Sequence, residues 1–135
     1  MAKINKEIIE IVNKAGRIGV LGTTNELGQP NVAYFGSPRL SEDGTLIMGL
    51  GSNRTLKNLE ENPLAVFFCV AETPVTFTTP GYRLYLKVRE IQKAGPIFDG
   101  VKKAIAEHAG PDAAKMVVAG VVFDVTEVRP LVAMG

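Results

Sequence analysis

The rest of the chain is organised around one stretch, Gly49-Leu-Gly-Ser-Asn-Arg-Thr-Leu-Lys-Asn-Leu-Glu-Glu-Asn-Pro63. A short apolar run at residues 46–50 leads into it and predicts a β-strand. Gly51 and Ser52 then interrupt the apolar pattern, so the strand is expected to end there.

A helix is predicted directly after this break. Ser52 or Asn53 is suited to cap its N-terminus, and Leu56 and Leu59 fall on one face of it. Asn62-Pro63 ends the helix, because the residue before a proline is pushed out of the helical conformation.

The charges of this helix oppose its macrodipole. Arg54 and Lys57 lie in the positive first turn, and Glu60 and Glu61 lie in the negative last turn. Each such placement costs about 0.3–1 kcal/mol at an exposed helix end. A bound anion such as a phosphate would remove the conflict, held by free backbone N–H groups, Arg54 and the Thr55 hydroxyl. A solvated helix whose charges fell there by chance explains the same pattern, and both interpretations stay open.

Composition limits the classes of protein that fit. The 135 residues are 46% hydrophobic and 21% charged with a net charge of +1, which predicts one globular domain, residues 1–135, and argues against a nucleic-acid-binding surface. One cysteine excludes an internal disulfide, and one histidine argues against a His/Cys metal site. We therefore expect no metal.

The sequence predicts a soluble protein of the cytoplasm. Its first residues are polar and lack the apolar segment of a signal peptide. No apolar run is long enough to cross a membrane. We expect neither a membrane nor a nucleic-acid partner.

The remaining pattern is mainly β with short helices. Three strands joined by short turns at residues 17–50 predict an antiparallel meander, and the total of about six strands and three helices favours a small closed or partly open barrel. The predicted strands are residues 17–24, 29–40, 45–50, 64–71, 82–91 and one or two segments within 116–128. The predicted helices are residues 3–15 with Gly16 as C-cap, the helix after Ser52, and one that Gly95-Pro96 opens and Gly110-Pro111 closes.

No hydrolytic machinery is visible, so difficult chemistry would need a cofactor. His108 on the apolar face of a helix is interpreted as a packed or partly exposed core histidine, and Cys69 within an apolar strand as a small buried apolar residue. An aromatic cofactor with a phosphate would use Asn53, Arg54 and Thr55 as its anion site. The strand Val32–Ser37 would bind the heterocycle edge-on where Gly36 allows close approach, and Tyr34, Phe35 and Met48 would form an apolar wall. Ordinary core packing accounts equally well for Tyr34 and Phe35.

Several motifs resemble the FMN-binding split barrels, which include pyridoxamine 5′-phosphate oxidase and small bacterial FMN-binding proteins. They are Pro-Asn-Val-Ala-Tyr-Phe-Gly-Ser37, then Ser52-Asn-Arg-Thr-Leu-Lys-Asn-Leu-Glu-Glu-Asn-Pro63, then Gly81-Tyr-Arg-Leu-Tyr-Leu-Lys-Val88 followed by Gly95-Pro-Ile-Phe98. The resemblance covers nearly the whole chain. It implies a six-stranded antiparallel split β-barrel that forms a homodimer with FMN at the subunit interface.

The same resemblance implies which residues bind the cofactor. Arg54 and Thr55 would hold the phosphate beside Ser52 and Asn53, and Arg83 is a further candidate from across the barrel. Leu131–Met134 would reach the flavin of the partner. The residues along the flavin and ribityl chain would be Val32, Ala33, Tyr34, Phe35, Gly36 and Ser37, with Met48 and Gly49 from the next strand.

The implied function is that of an FMN flavoprotein, an oxidoreductase or electron-transfer protein acting on an unknown small acceptor. The oxidases carry a basic C-terminal segment where this chain ends at Arg129-Pro-Leu-Val-Ala-Met-Gly135, so we do not expect vitamin B6 oxidation. A non-catalytic flavin-binding module and a deazaflavin-dependent reductase on the same fold are the alternatives, since some relatives use a deazaflavin or haem. A structural dimer without a ligand is the remaining one.

Overall fold

The computed structural model describes residues 2–132 and is mainly β with short helices, as predicted. In chain order the elements are α1 (Lys6–Val12), β1 (Ile18–Thr24), β2 (Pro30–Tyr34), β3 (Arg39–Leu40), β4 (Thr45–Leu50), α2 (Arg54–Glu61), β5 (Leu64–Val70), β6 (Gly81–Gln92), α3 (Pro96–Ala109), α4 (Pro111–Lys115) and β7 (Ala119–Pro130). Among the described residues, none of these helices is both long and apolar enough to span a bilayer.

All seven strands form one antiparallel sheet in the order β2-β1-β5-β6-β7-β4-β3. The two edge strands, β2 and β3, are consecutive in the chain and are joined by residues 35–38. The Ser37 hydroxyl donates to the Gly49 carbonyl (3.3 Å) and accepts from the Gly49 N–H (3.2 Å), which ties this connection to β4. The sheet therefore curves round until its two edges lie near each other.

The core fills the inside of this curved sheet. In β1 every second residue is buried, as period-two alternation requires. Each large apolar side chain that is fully buried contributes about 1.5–3 kcal/mol to folding. Phe67, Phe123, Leu21, Leu46, Leu84 and Leu86 are among the largest of them.

Helix α1 is shorter than the predicted residues 3–15 because asparagines cap both of its ends. The Asn5 side chain accepts from the N–H of Ile8 (2.9 Å), and Asn13 takes the C-cap position that was predicted for Gly16. The Asn13 side chain also pairs with the backbone of Leu40, accepting at 2.8 Å and donating at 2.9 Å. The Asn13 amide thus pairs with the backbone of the edge strand β3 in the way that a neighbouring strand would.

The predicted three-strand meander is wrong. The single strand expected at residues 29–40 is two strands, and β2 pairs only with β1 whereas β3 pairs with β4. The break falls at residues 35–38, where the irregularity near Gly36 was expected. Pro38 is buried there and has no N–H to donate to a ladder.

The end of the chain also differs from the prediction. Gly110-Pro111 ends α3 as expected, but Pro111 also begins a fourth helix, because proline suits the first helical position. Beyond it, β7 is one continuous strand. The strand at residues 64–71 is central, as predicted, since β5 lies between β1 and β6.

Candidate functional site

Helix α2 has the cap and the charge order that the sequence predicts. Asn53 is the N-cap, and its side chain accepts from the Leu56 N–H at 2.9 Å. The first turn contains no acidic residue and the last turn no basic one. Leu56 and Leu59 are buried, and Asn62 leaves the helical conformation ahead of Pro63.

The two ends of α2 differ in how their charges are compensated. Glu60 forms an ion pair with Lys93 (2.9 Å), and Glu61 accepts from the backbone N–H of Glu26 (3.1 Å). Within residues 2–132, neither Arg54 nor Lys57 has a carboxylate within 4.0 Å. The positive N-terminal end therefore keeps two cations without a counter-charge, which suits an anion.

A cleft of about 520 Å³ opens at this end of the helix. Its lining residues are Ser52, Asn53, Arg54, Leu56, Lys57 and Glu60. Thr55, which was expected to offer its hydroxyl to the anion, is only 2% exposed and does not line the cleft. The cleft thus brings together three of the four residues predicted to hold a phosphate.

Strand β2 offers a free backbone edge beside this helix. Helix α2 packs on β1 and β2, and Asn58 donates to the Thr23 hydroxyl at 3.1 Å. An antiparallel ladder alternates residues whose backbone groups face the partner with residues whose groups face away. Because the Phe35 N–H donates to the carbonyl of Gly19 (2.9 Å), the backbone groups of Val32 and Tyr34 face the open edge.

A second and larger cavity, about 880 Å³, lies at the end of β2. We call it the α1–α3 groove, because the C-terminal end of α1 and one face of α3 form two of its walls. It is lined by Val12, Asn13, Lys14, Ala15, Gly16, Arg17, Tyr34, Phe35, Gly36, Ser37, Arg39, Ile47, Met48, Ile97, Gly100, Val101, Ala104, Ile105, His108 and Ala109.

Only some of the residues predicted to bind the flavin line this groove. Tyr34, Phe35, Gly36, Ser37 and Met48 line the groove, whereas Val32 and Ala33 lie on β2 outside it. Gly49 lies under α3, because an added Cβ would be 2.7 Å from side-chain atoms of both Val101 and Ile105.

The groove and the α2 cleft share no lining residue, yet they are close together. Ser37 is hydrogen-bonded to Gly49, and Asn53, the cap of α2, follows Gly49 by four residues. Four residues span at most about 14 Å. A ligand with a ring at one end and a phosphate at the other fits this spacing.

Arg17 holds the groove in shape, a role that the sequence did not reveal. Its guanidinium donates to the carbonyls of Val12 (2.7 Å), Phe35 (3.2 Å) and Pro38 (2.7 Å) and lies 5.1 Å from the Phe67 ring centroid. Burial lowers its pKa from the usual value. A charged residue directly ahead of an apolar strand was the only signal in the sequence.

The other groups considered from the sequence are placed as follows. Cys69 is fully buried, and burial raises the pKa of its thiol, which disfavours the reactive thiolate. His108 is exposed at the wall of the groove and is not packed in the core. Arg83 donates to the Pro130 carbonyl at 2.8 Å. The predicted tail contact at Leu131–Met134 falls partly on residues 133–134, which lie outside the described residues.

Within residues 2–132, no group of three or more His, Cys, Asp or Glu side chains is placed so that it could hold a metal ion. The residues present fit a phosphorylated aromatic ring, because the N-terminus of α2, whose cations have no paired carboxylate, lies beside the open edge of β2.

The sequence matches no protein-family model and no curated protein, but known structures resemble this one closely. An FMN-binding protein from Syntrophomonas wolfei has a TM-score of 0.84 at 21% identity, covering 96% of this chain and 87% of that one. A candidate pyridoxamine 5′-phosphate oxidase from Lactobacillus delbrueckii has a TM-score of 0.68 at 19% identity, covering 94% and 93%.

The chain has the FMN-binding split-barrel fold. The split barrel has seven strands here, not the predicted six, because the irregular strand at residues 29–40 divides into β2 and β3. An F420 reductase shares the split barrel with a TM-score of 0.70 at 14% identity, covering 93% of this chain and 98% of that one. The fold is thus common to proteins named for different coenzymes.

Proposed function

We propose that this split barrel binds FMN and acts as an oxidoreductase or electron-transfer protein on a small acceptor. The observation that carries the proposal is the pair of uncompensated cations, Arg54 and Lys57, at the N-terminus of α2. The FMN phosphate lies there, within reach of Ser52, Asn53 and the first backbone N–H groups of the helix. The ring lies along the free edge of β2.

FMN supplies the capacity to accept and pass on electrons, and the chain supplies binding and orientation. Arg54 and the helix N-terminus neutralise the phosphate by charge-assisted hydrogen bonds. The outward backbone groups of Val32 and Tyr34 are available to polar atoms at the edge of a ring. Gly36 leaves open space at the end of the strand, since an added Cβ would meet no atom within 4 Å.

The proposal includes a homodimer that completes the site. Exposed apolar side chains lie together on the outer face of three neighbouring strands: Val32 (67%) and Tyr34 (65%) on β2, and Leu64 (57%) and Phe68 (37%) on β5. Val20 of β1 is paired with both Tyr34 and Phe68, so these residues share one face. An apolar patch of this kind marks an interaction surface, and a second copy would cover it beside the FMN ring.

A cytoplasmic location also belongs to the proposal. The single cysteine, Cys69, is free and buried. Proteins of reducing compartments ordinarily keep their thiols in this state.

The test is the visible spectrum of the purified protein, with the chromophore identified by mass spectrometry after denaturation. We expect FMN. Arg54→Ala should weaken FMN binding by about 1.5–3 kcal/mol, the contribution of a hydrogen bond to a charged group. Lys103→Ala, which removes an exposed lysine of α3 that lines neither cavity, is the matched control. Equal FMN affinity of Arg54→Ala and the parent protein would show that the phosphate is bound elsewhere.

A deazaflavin-dependent reductase is the second candidate, because the F420 reductase shares the fold over most of both chains. An anion site serves either coenzyme, and the mass of the released chromophore distinguishes them. A non-catalytic flavin-binding module differs in its kinetics. Stopped-flow mixing with reduced nicotinamide nucleotides should reduce the flavin rapidly if the protein is an enzyme, and slow reduction by every donor would favour a storage role.

A further inference from the structure

We propose that the α1–α3 groove is a binding site for a small apolar molecule that carries an anionic group such as a carboxylate or sulfonate. Binding alone is proposed for the groove, and it does not require FMN. Only the position of this ligand beside the flavin depends on the function proposed above.

The size and the walls of the groove suit a small apolar ligand. Its volume of about 880 Å³ lies within the range of small-molecule sites, about 300–1,000 Å³. Ile47 and Phe35 line it on the sheet side, and Val101, Ala104 and Ile105 line it from α3. Helix α3 contains no buried residue, so its apolar face is only partly covered by the protein.

The charges of the groove are all of one sign. The charged members of its twenty lining residues are Lys14, Arg17 and Arg39, His108 adds an imidazole that can donate a hydrogen bond, and no aspartate or glutamate is among them. A concave site lined by one sign of charge attracts the opposite charge. A neutral apolar ligand would make no use of these groups.

The four basic groups differ in how free they are to meet a ligand. Arg17 is engaged by three backbone carbonyls. Lys14 has a distant ion pair with Glu72 at 3.6 Å, and Arg39 donates to the Asn13 carbonyl at 3.1 Å. Within residues 2–132, the His108 imidazole forms no hydrogen bond and no ion pair. Arg39 and His108 are therefore the groups that would hold the anion.

The groove is separate from the outer face proposed for the dimer. Val32, Leu64 and Phe68 of that face do not line the groove, and only Tyr34 belongs to both. The groove is also lined by Tyr34, the last residue of β2, and by residues 35–37 of the connection that follows it. If FMN lies along β2, the groove ligand is held next to its ring, where a small acceptor has to be.

The experiment uses fluorescence titration with two probes of similar shape. 1-Anilinonaphthalene-8-sulfonate is anionic, and N-phenyl-1-naphthylamine is uncharged. The groove should bind one anionic probe per chain at least tenfold more tightly than the neutral probe. The double variant Arg39→Gln with His108→Gln should remove this preference and leave the affinity for the neutral probe unchanged.

A second experiment fills the groove with large side chains. Ala104→Trp places a large side chain in the groove and should weaken binding of the anionic probe at least tenfold, whereas Lys103→Trp on the neighbouring exposed position should not. Gly100→Phe is an independent filler, because an added Cβ there meets nothing within 4 Å. Cooperative thermal unfolding of each variant is measured as a control, because these probes also bind partly unfolded protein.

Three results would overturn the proposal: unchanged binding in both filling variants, equal affinity for the two probes, or loss of a dimer in the filling variants. The last would show that a second copy occupies the groove. Titrations with and without FMN separate the two proposals. Anionic-probe binding in a protein that takes up no FMN would sustain the groove site and reject the flavin function.

Discussion

At the scale of single residues, Arg17 joins segments that are distant in sequence. Its guanidinium binds carbonyls of α1 and of the connection between β2 and β3, up to 21 positions away. These contacts hold the break that separates the two edge strands. A charged group can be buried there because each of its nitrogen atoms has an acceptor.

Arg17→Lys should lower the free energy of unfolding by about 2–4 kcal/mol, because an ammonium group cannot reach all of these carbonyls and leaves buried acceptors unpaired. Arg39→Lys, at an exposed position, is the control and should change stability by less than about 0.5 kcal/mol. Urea unfolding of both variants measures the difference. Similar losses in both would mean that the Arg17 contacts contribute little.

Cys69 gives a pH dependence with a defined sign. Burial raises the pKa of its thiol above the ordinary value of about 8.5. Above that pH the unfolded chain releases the proton while the folded chain keeps it, so the free energy of unfolding falls as pH rises. Below it both states are protonated and the group has no effect.

We therefore expect Cys69→Ala to lose less stability between pH 8 and pH 10 than the parent protein. Tyr82, whose pKa is raised first by burial and then by Glu7 and Cys69, acts in the same direction at higher pH, and the part due to burial and Glu7 is common to both proteins. Urea midpoints at the two pH values are the measurement. Parallel losses would show that the thiol does not titrate differently in the two states.

At the scale of elements, the packing of α3 on β4 depends on Gly49. No side chain fits between the strand and the helix, since an added Cβ would be 2.7 Å from Val101 Cγ1 and from Ile105 Cδ1. This close approach sets the position of α3 and with it one wall of the groove.

Gly49→Ala should lower the free energy of unfolding by about 1–3 kcal/mol, the usual effect of overpacking. Gly100→Ala is the matched change within α3, where an added Cβ meets nothing within 4 Å. It should raise stability by about 0.5–1 kcal/mol, because alanine favours the helix over glycine. Thermal unfolding of the two variants should thus shift in opposite directions, and a shift in the same direction would contradict this account of the contact.

At the scale of the whole molecule, the outer face of β2, β1 and β5 remains apolar in the isolated protomer. An antiparallel sheet can leave one face to water, and such a face is then normally polar. The apolar side chains here are the physical basis for the proposed dimer.

Leu64→Asp should weaken the dimer at least tenfold without unfolding the protomer, because Leu64 is 57% exposed. Val75→Asp is the control: Val75 is 53% exposed, but it lies in the loop between β5 and β6. Sedimentation equilibrium measures both. If Leu64→Asp associates as the parent does, the subunits meet through another face.

Much of the fold was predictable because its signals are local. Period-two alternation in β6, the Ile, Val and Thr content of β1, the proline at the start of α3 and the cap of α2 each depend on residues a few positions apart. For the same reason the reversed charges of α2 were visible in the sequence. The division of residues 29–40 into two strands was missed, because residue propensities do not distinguish a bulge within a strand from a break between two strands. The helix α4 was missed because Gly110-Pro111 can end one helix and also begin the next.

The sequence by itself determined the mainly β class and the helix α2 with its two N-terminal cations. The tertiary structure decided which strands are neighbours, that Thr55 is buried away from the cleft and that α1 and α3 enclose a basic groove. The physical reason is distance along the chain. Caps and helix charges act over three or four residues, whereas the groove depends on contacts such as Arg17 with Pro38 and Gly49 with Ile105, which exist only once the sheet has curved round.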